Sequence, residues 1–187
     1  MSHPPMRVPL RDTPQIYGTV TRILHWTMAA LILWQFLGMG LRAIYGRQDW
    51  LGFFVGSHQP MGTALFVLIL LRGAWALSNR GNRPAHGGGL MGLAAKAGHG
   101  LLYGLMLVIP GLGLLRAWGS DREFAPFGIP VFSAKTPPVE WTGALAGALH
   151  GELAWLLLAV IAGHVVMVGV HQAMWRDGTL ARMAGRR

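Results

Sequence analysis

The chain has 187 residues, of which 52% are hydrophobic and only 12% are charged, and its mean hydropathy is +0.41. A soluble domain carries about 25% charged residues, so this chain lacks the polar side chains needed to cover a soluble surface. It contains no cysteine, which excludes a disulfide framework, a thiolate zinc site and a cysteine-ligated iron–sulfur cluster. Such high hydrophobicity also excludes a disordered chain. The composition therefore indicates a small integral membrane protein.

Four long uncharged runs predict the membrane-spanning elements. They contain 19, 22, 19 and 23 residues and lie between Arg22 and Arg42, Asp49 and Arg72, Lys96 and Arg116, and Glu152 and Arg176. About 20 helical residues cross a hydrocarbon core of about 30 Å, and a helix satisfies its own backbone polar groups there. The expected fold class is all-α, an integral membrane four-helix bundle. The alternative, a soluble bundle of four buried helices, is disfavoured by the scarcity of charge.

The first run is not expected to be a cleaved signal peptide. It has the full length of a span and contains His25, Trp26 and Gln35, whereas a signal peptide has a short apolar region and a small-residue cleavage site. We expect three regions: a cytoplasmic tail at 1–16, a transmembrane domain at 17–176 and a basic cytoplasmic tail at 177–187.

The basic residues predict the orientation of the bundle. Eleven of the 16 lysines and arginines fall in the two tails and in the connection between the second and third spans, so the positive-inside rule places both termini in the cytoplasm. Because long uncharged runs separate these residues, the net charge of +9 does not indicate nucleic-acid binding. The Gly/Pro-rich residues 79–92 predict a flexible cytoplasmic loop, and residues 117–142 predict an ordered, irregular outer cap.

Six of the eight histidines lie in or at the ends of the predicted spans, whereas His3 and His86 lie in a tail and a loop. The six are His25, His58, His99, His150, His164 and His171. Ionisable residues inside a membrane are costly and usually functional. A single one could be a hydrogen bond between helices, but six in four helices indicate a shared chemistry.

Their depths predict two facing pairs. His150 and His164 are 14 residues apart, which places them on nearly the same helix face with a rise of about 21 Å. His58 and His150 both lie near the outer ends of their helices, whereas His25 and His164 lie at similar distances from the cytoplasmic ends. His99 is expected at the depth of His171, nearer the inner surface.

Two imidazoles that face each other at two depths of a helix bundle favour bis-histidine haem b at two sites. Zinc favours a tetrahedral set that often includes cysteine or carboxylate, and a copper site of several histidines would not need two depths. Arg22, three residues before His25, has two equal interpretations: it pairs with a haem propionate, or it extends to the membrane surface.

These residues resemble the bacterial cytochrome b561 family, the short four-helix type with two haems b. The resemblance runs from about Tyr17 to Met183. Its most specific part starts at His150, HGELAWLLLAVIAGHVVMVGVHQAMWRDGTLARM, with a W-[KR]-D-x-T-L-x-R-M element near its end. ILHW around His25, SHQPMG around His58 and GHGLLYGLMLVIPGLGLL around His99 are similar too.

The resemblance implies haem ligands at His25, His58, His150 and His164, and a cytoplasmic-side quinone site near His99 and His171. It also implies a location in the bacterial inner membrane, surrounded by lipid. The implied activity is electron transfer between the periplasmic side and the quinone pool, as superoxide oxidation coupled to ubiquinone reduction by an oxidoreductase. The implied mechanism would use His99 or His171 to bind a quinone carbonyl; a structural alternative for His171 is an interfacial side chain.

Two other functions stay open at this point. One is a membrane-anchor cytochrome b subunit that passes electrons between quinone and a partner dehydrogenase or hydrogenase. The other is a metal or proton transporter that uses the ladder of histidines.

Overall fold

The computed structural model describes residues 9–84 and 88–185, and within them the chain is helical with a single isolated β-bridge. The long helices are α1 (Thr19–Tyr45), α2 (Gly52–Ser78), α3 (Gly89–Trp118) and α4 (Glu140–Val170), and α5 (Thr179–Ala184) is short. Short 3-10 turns occur at Asp49–Leu51 and Pro126–Gly128, and α4 continues into a π-helical turn at His171–Trp175. The predicted all-α four-helix bundle is confirmed, and His3 and His86 lie outside the described residues.

All four long helices are long and apolar enough to cross a membrane. Their outward surfaces carry large apolar side chains, with Leu33 70%, Phe53 73% and Val166 64% exposed. Lipid tails cover such surfaces at no hydrophobic cost, whereas water would not. The protein is therefore a multi-pass membrane protein.

Two helices extend beyond the uncharged runs that predict them. α4 begins at Glu140, close to the end of the expected cap 117–142 and twelve residues before Glu152, so His150 lies well inside the helix and Glu152 is exposed on its surface. Similarly, α3 begins at Gly89, inside the expected loop 79–92, of which residues 85–87 are not described. A single charged residue does not end a helix when its side chain can point away from the core.

The helices pack in chain order, α1 on α2, α2 on α3 and α3 on α4. The buried core lies mainly between α3 and α4 and consists of Leu102, Leu105, Ile109 and Leu157. Because successive helices are antiparallel, both described chain ends lie at one end of the bundle, which we call the terminal end. The opposite end carries the α1–α2 and α3–α4 connections.

The connection at 119–139 forms an ordered, irregular cap on the opposite end. Phe124 and Phe132 form the isolated antiparallel bridge, and their stacked rings have centroids 5.8 Å apart. The amide of Val139 donates to the carbonyl of Gly119 at 2.8 Å, which closes the loop just before α4. Because its backbone groups are bonded in this way, the loop can hold its form without a regular element.

The segment before α1 is folded onto the terminal end. The side chain of Asp12 is fully buried and forms an ion pair with Arg83 Nε at 2.9 Å. Its other carboxylate oxygen accepts the backbone N–H of Gly18 at 2.8 Å. One carboxylate therefore links the N-terminal segment, the start of α1 and the connection after α2.

The short helix α5 is held against α1. Arg22 donates from Nε to the carbonyl of Met183 at 3.1 Å and from Nη2 to that of Ala184 at 2.8 Å, and Trp26 Nε1 also donates to Met183, at 3.4 Å. A cation at the last carbonyls of a helix satisfies them and complements the helix dipole. This use of Arg22 is neither of its two predicted roles.

Substituting Asp12 by asparagine is expected to destabilise the protein by about 2 kcal/mol, because Arg83 loses its counter-charge in a largely buried pair. Asp12→Ala should cost about 1 kcal/mol more, since the Gly18 amide also loses its acceptor. Thermal unfolding in detergent, followed by circular dichroism, measures both effects. Glu123→Gln on the exposed cap is the matched control, and equal midpoints for it and Asp12→Asn would contradict the role of the pair.

Candidate functional site

The structure brings four predicted histidines together in two facing pairs. The rings of His58 in α2 and His150 in α4 have centroids 5.9 Å apart, at an interplanar angle of 72°. Those of His25 in α1 and His164 in α4 have centroids 6.5 Å apart, at 61°. The first pair lies toward the opposite end of the bundle and the second toward the terminal end. Helix α4 thus supplies one ring to each pair.

Local contacts on α1 and α2 fix the position of His58. Trp34 Nε1 donates to Ser57 Oγ at 2.9 Å, and Gln35 Nε2 donates to the backbone carbonyl of His58 at 2.9 Å. Pro60, two residues later, has no N–H to donate within the helix. Two side chains of α1 therefore bond the turn of α2 that carries His58, Trp34 to a side chain and Gln35 to the backbone.

A cavity with an empty volume of ≈ 650 Å³ lies beside the pair of His58 and His150. All four long helices contribute to its lining, which is apolar except for Gln35 and the two histidines. A Cβ atom at Gly113 would lie 3.5 Å from Cε1 of His150, so α3 approaches this ring closely. An apolar lining with a few polar side chains is typical of cofactor and ligand sites.

Three of the four paired histidines have one ring nitrogen without a hydrogen-bond partner among the described residues. The Nδ1 atoms of His25, His58 and His150 are buried and have no hydrogen-bond partner. A buried polar atom without a partner is costly and calls for a bound group that the protein itself does not supply. The described residues contain no cluster of three or more histidine or carboxylate side chains that could hold a metal ion, so the donor sets here are pairs of imidazoles.

This geometry fits a planar metal cofactor held between two imidazoles. A metal–imidazole bond of about 2 Å on each side puts the centroids of two axial rings about 6 Å apart, and both observed separations are close to that value. Apolar walls and paired ligands from facing helices are how helix bundles hold haem.

His99 is not placed where the sequence predicts it. Its ring lies 5.5 Å from that of His164, centroid to centroid, and its Nδ1–H donates to the carbonyl of Ala95 at 2.8 Å. The expected depth, level with His171, is wrong because α3 starts at Gly89 and places His99 ten residues into the helix. The terminal-end site therefore contains three imidazoles, those of His25, His99 and His164.

His171 lies in different surroundings, at the start of the π-helical turn. Its Nδ1–H donates to Asp177 Oδ2 at 2.6 Å, and its ring meets that of Trp175 edge-on at a centroid distance of 4.6 Å. The chain reverses after Trp175 because Arg176 is left-handed, with φ of 50°. This reversal returns Asp177 toward His171.

Hydrogen bonds lower the pKa of Asp177. Burial raises the pKa of this carboxyl, but hydrogen bonds from Thr179 and His171 outweigh that effect and bring it from 3.8 to about 2. A depressed carboxyl pKa stabilises the fold above the unfolded pKa, and this contribution is lost as the pH falls through the folded pKa. The turn is therefore held together at every pH above about 4 and loosens as the pH falls from 3.8 toward about 2.

Two functional features escaped the sequence argument. Arg72 lies within electrostatic range of both His25 and His164, although it was read as the charged end of a span. Asp177 pairs with His171, although it was read as part of a basic tail. Asp177 lies six residues after His171, inside the WRDGTL element, but only a sharp reversal of the chain brings the two side chains together.

These features define the class of the protein: a four-helix membrane bundle with paired intramembrane imidazoles at two levels. A family model described as prokaryotic cytochrome b561 matches residues 16–186. The chain is 28% identical to "Cytochrome b561 homolog 2" of Escherichia coli over 94% of each chain. It is 32% identical to "Cytochrome b562" of Cereibacter sphaeroides over 89% of this chain and 94% of that one.

The chain belongs to the prokaryotic cytochrome b561 family. It is therefore a membrane cytochrome, and membership implies haem b and a role in electron transfer.

Replacing Asp177 by asparagine is expected to loosen the turn that carries His171 at neutral pH. The charge-assisted bond from His171 is weakened, and so is the bond that the Thr179 amide makes to Asp177 Oδ1 at 3.0 Å. Hydrogen exchange in the peptide 171–184 measures the effect, and we expect roughly tenfold faster exchange in that peptide alone. Asp121→Asn is the control, and unchanged exchange in Asp177→Asn would contradict the contribution of the pair.

Proposed function

We propose that this chain is a dihaem b cytochrome of the bacterial inner membrane that oxidises superoxide at the outer face and reduces ubiquinone at the cytoplasmic face. The observation that carries the proposal is the pair of facing imidazoles at each of two levels. The distribution of lysine and arginine supports a cytoplasmic terminal end. In this proposal residues 17–176 form the cytochrome domain, between cytoplasmic segments at 1–16 and 177–187.

His58 and His150 would hold one haem b, and His25 and His164 the other. Three of these four rings have a buried Nδ1 without a partner, which supports ligand roles for them. His99 is the competing ligand at the terminal-end site, because its ring also lies beside that of His164 and its Nδ1–H bond to the carbonyl of Ala95 is the kind of contact that orients a ligating imidazole. When bound, the two haems supply one-electron chemistry at sites about 21 Å apart along α4, the rise of 14 helical residues.

The apolar lining of the cavity keeps water away from the ring nitrogens, and the bond from Gln35 to the backbone of His58 holds that turn of α2 in place. A haem held by two imidazoles would transfer electrons and would not bind dioxygen. The chain's own side chains thus favour electron transfer over oxygen binding.

The two ends of the bundle suit the two substrates. Arg116, Arg122 and Lys135 lie at the opposite end and would attract an anion, while Asp121, Glu123 and Glu140 at the same end dilute their field. At the terminal end, Asp177 accepts the Nδ1 proton of His171, so Nε2 is the atom that takes up a proton and presents it to a quinone carbonyl. Two superoxide anions each lose one electron to become dioxygen, and one ubiquinone gains two electrons and two protons to become ubiquinol.

Haem quantitation with a reduced-minus-oxidised spectrum of the purified protein tests the ligands. We expect two haems b per chain, and one after replacing any of His25, His58, His150 or His164, because a single imidazole does not retain the group. His99→Gln and His171→Gln are the matched controls and should keep two. Loss of a haem in His99→Gln, together with two haems in His25→Gln, would show that His99 is the ligand.

Stopped-flow mixing with superoxide tests the activity. The purified chain alone should be reduced by superoxide and reoxidised by ubiquinone, and His171→Gln should slow only the second step, because its change lies at the quinone end. A protein that carries two haems but is inert to superoxide would contradict this function. Co-purification with a dehydrogenase or hydrogenase would then identify it as an anchor subunit.

A further inference from the structure

A guanidinium group without a counter-anion lies beside the terminal-end histidines. Arg72 is half-buried near the end of α2. Its Nε donates to the hydroxyl of Tyr103 at 2.9 Å, and its Cζ lies 5.4 Å from the centre of that ring. Between residues 9 and 84 and between 88 and 185, the structure contains ion pairs for Arg83 and His171 but none for Arg72.

The packing of α1 on α2 places Arg72 level with His25. Trp75 Nε1 donates to Thr21 Oγ1 at 3.0 Å. Because the two helices are antiparallel, moving three residues back along α2 to Arg72 corresponds to moving three or four residues forward along α1, to the turn of His25. The charge of Arg72 also acts electrostatically on His164, so the guanidinium lies at the level of the pair.

Such an arginine is expensive in a membrane unless an anion accompanies it. Tyr103 occupies only Nε, which leaves the two terminal nitrogens to form the planar fork that binds a carboxylate through two hydrogen bonds. No described side chain supplies that carboxylate within ion-pair distance. A haem b carries two propionate carboxylates. A haem bound between His25 and His164 would bring these carboxylates to the end of the bundle where the fork lies.

We propose that Arg72, oriented by Tyr103, binds a propionate carboxylate of the haem at the terminal-end site. This inference rests on the proposed function, because it requires a haem at that site. It assigns to Arg72 the role that the sequence suggested for Arg22, whose Nε and Nη2 are bonded to the end of α5. Tyr103 acts as a positioning residue, since it touches the guanidinium and not the carboxylate.

Potentiometric titration of the purified full chain tests the assignment. Arg72→Gln should lower the equilibrium constant for reducing the terminal-end haem by about tenfold, because a nearby positive charge favours the reduced form. The other haem should be unaffected. The titration curve should have one step for each haem. His164→Gln should lack the step of the terminal-end haem and His150→Gln that of the other haem, which assigns the two steps. Arg72→Lys keeps the charge but loses the planar fork. Its equilibrium constant for reducing the terminal-end haem should lie between those of Arg72→Gln and the unsubstituted protein.

Arg80→Gln is the matched control, because it removes the same charge from an exposed position eight residues further along the chain. A redox-induced infrared difference spectrum gives an independent readout, in which the propionate carboxylate bands should shift in Arg72→Gln and not in Arg80→Gln. Unchanged bands and midpoints in Arg72→Gln, or equal shifts in the two variants, would overturn the proposal.

If Arg72→Gln does not assemble, Arg72→Lys and Tyr103→Phe decide the question. Both should lower the equilibrium constant for reducing the terminal-end haem by severalfold. No shift in either variant would overturn the assignment. Failure of the proposed function gives a different result, because the unsubstituted protein would then lack a second haem, or would carry both haems and be inert to superoxide.

Discussion

The structure depends on ring nitrogens that the bundle buries and does not itself bond. An imidazole in an apolar interior must find a partner for each nitrogen or bear a desolvation cost. The Nδ1 atoms of His25, His58 and His150 have none, although backbone groups nearby are paired within helices. A bound group that interacts with imidazole would relieve this cost, and membership of the family implies haem b.

Helix α4 is the element that organises both sites. It contributes a ring to each pair, packs on α3 to form the buried core, and continues into the turn that holds His171. One rigid helix thus fixes the distance between the two pairs of histidines. It also connects the pair of His25 and His164 to the turn that carries His171. Electron transfer needs such fixed spacing, which the protein supplies while the cofactor supplies the redox chemistry.

At the terminal end of the bundle, several polar side chains join segments that are distant in the sequence. Asp12 joins the N-terminal segment to Arg83, Arg22 holds the last carbonyls of α5, and Asp177 holds His171. Arg72 lies at the same end of the bundle, and its Nε is held by the phenol of Tyr103 and not by a carboxylate or a carbonyl. The contrast is what singles out Arg72 as a site for an anion.

The sequence by itself determined the fold class, the four spans and the two pairs of histidines. These follow from local rules: the length of uncharged runs and the repeat of 3.6 residues per turn act within single helices. The tertiary structure decided where α3 and α4 begin, and therefore that His99 joins His164 and not His171. It also decided that Arg22 bonds the end of α5, that Arg72 faces the histidines, and that a left-handed Arg176 returns Asp177 to His171. Such contacts depend on helix register and chain reversals, which are set by the packing of distant residues and leave no periodic pattern in the sequence.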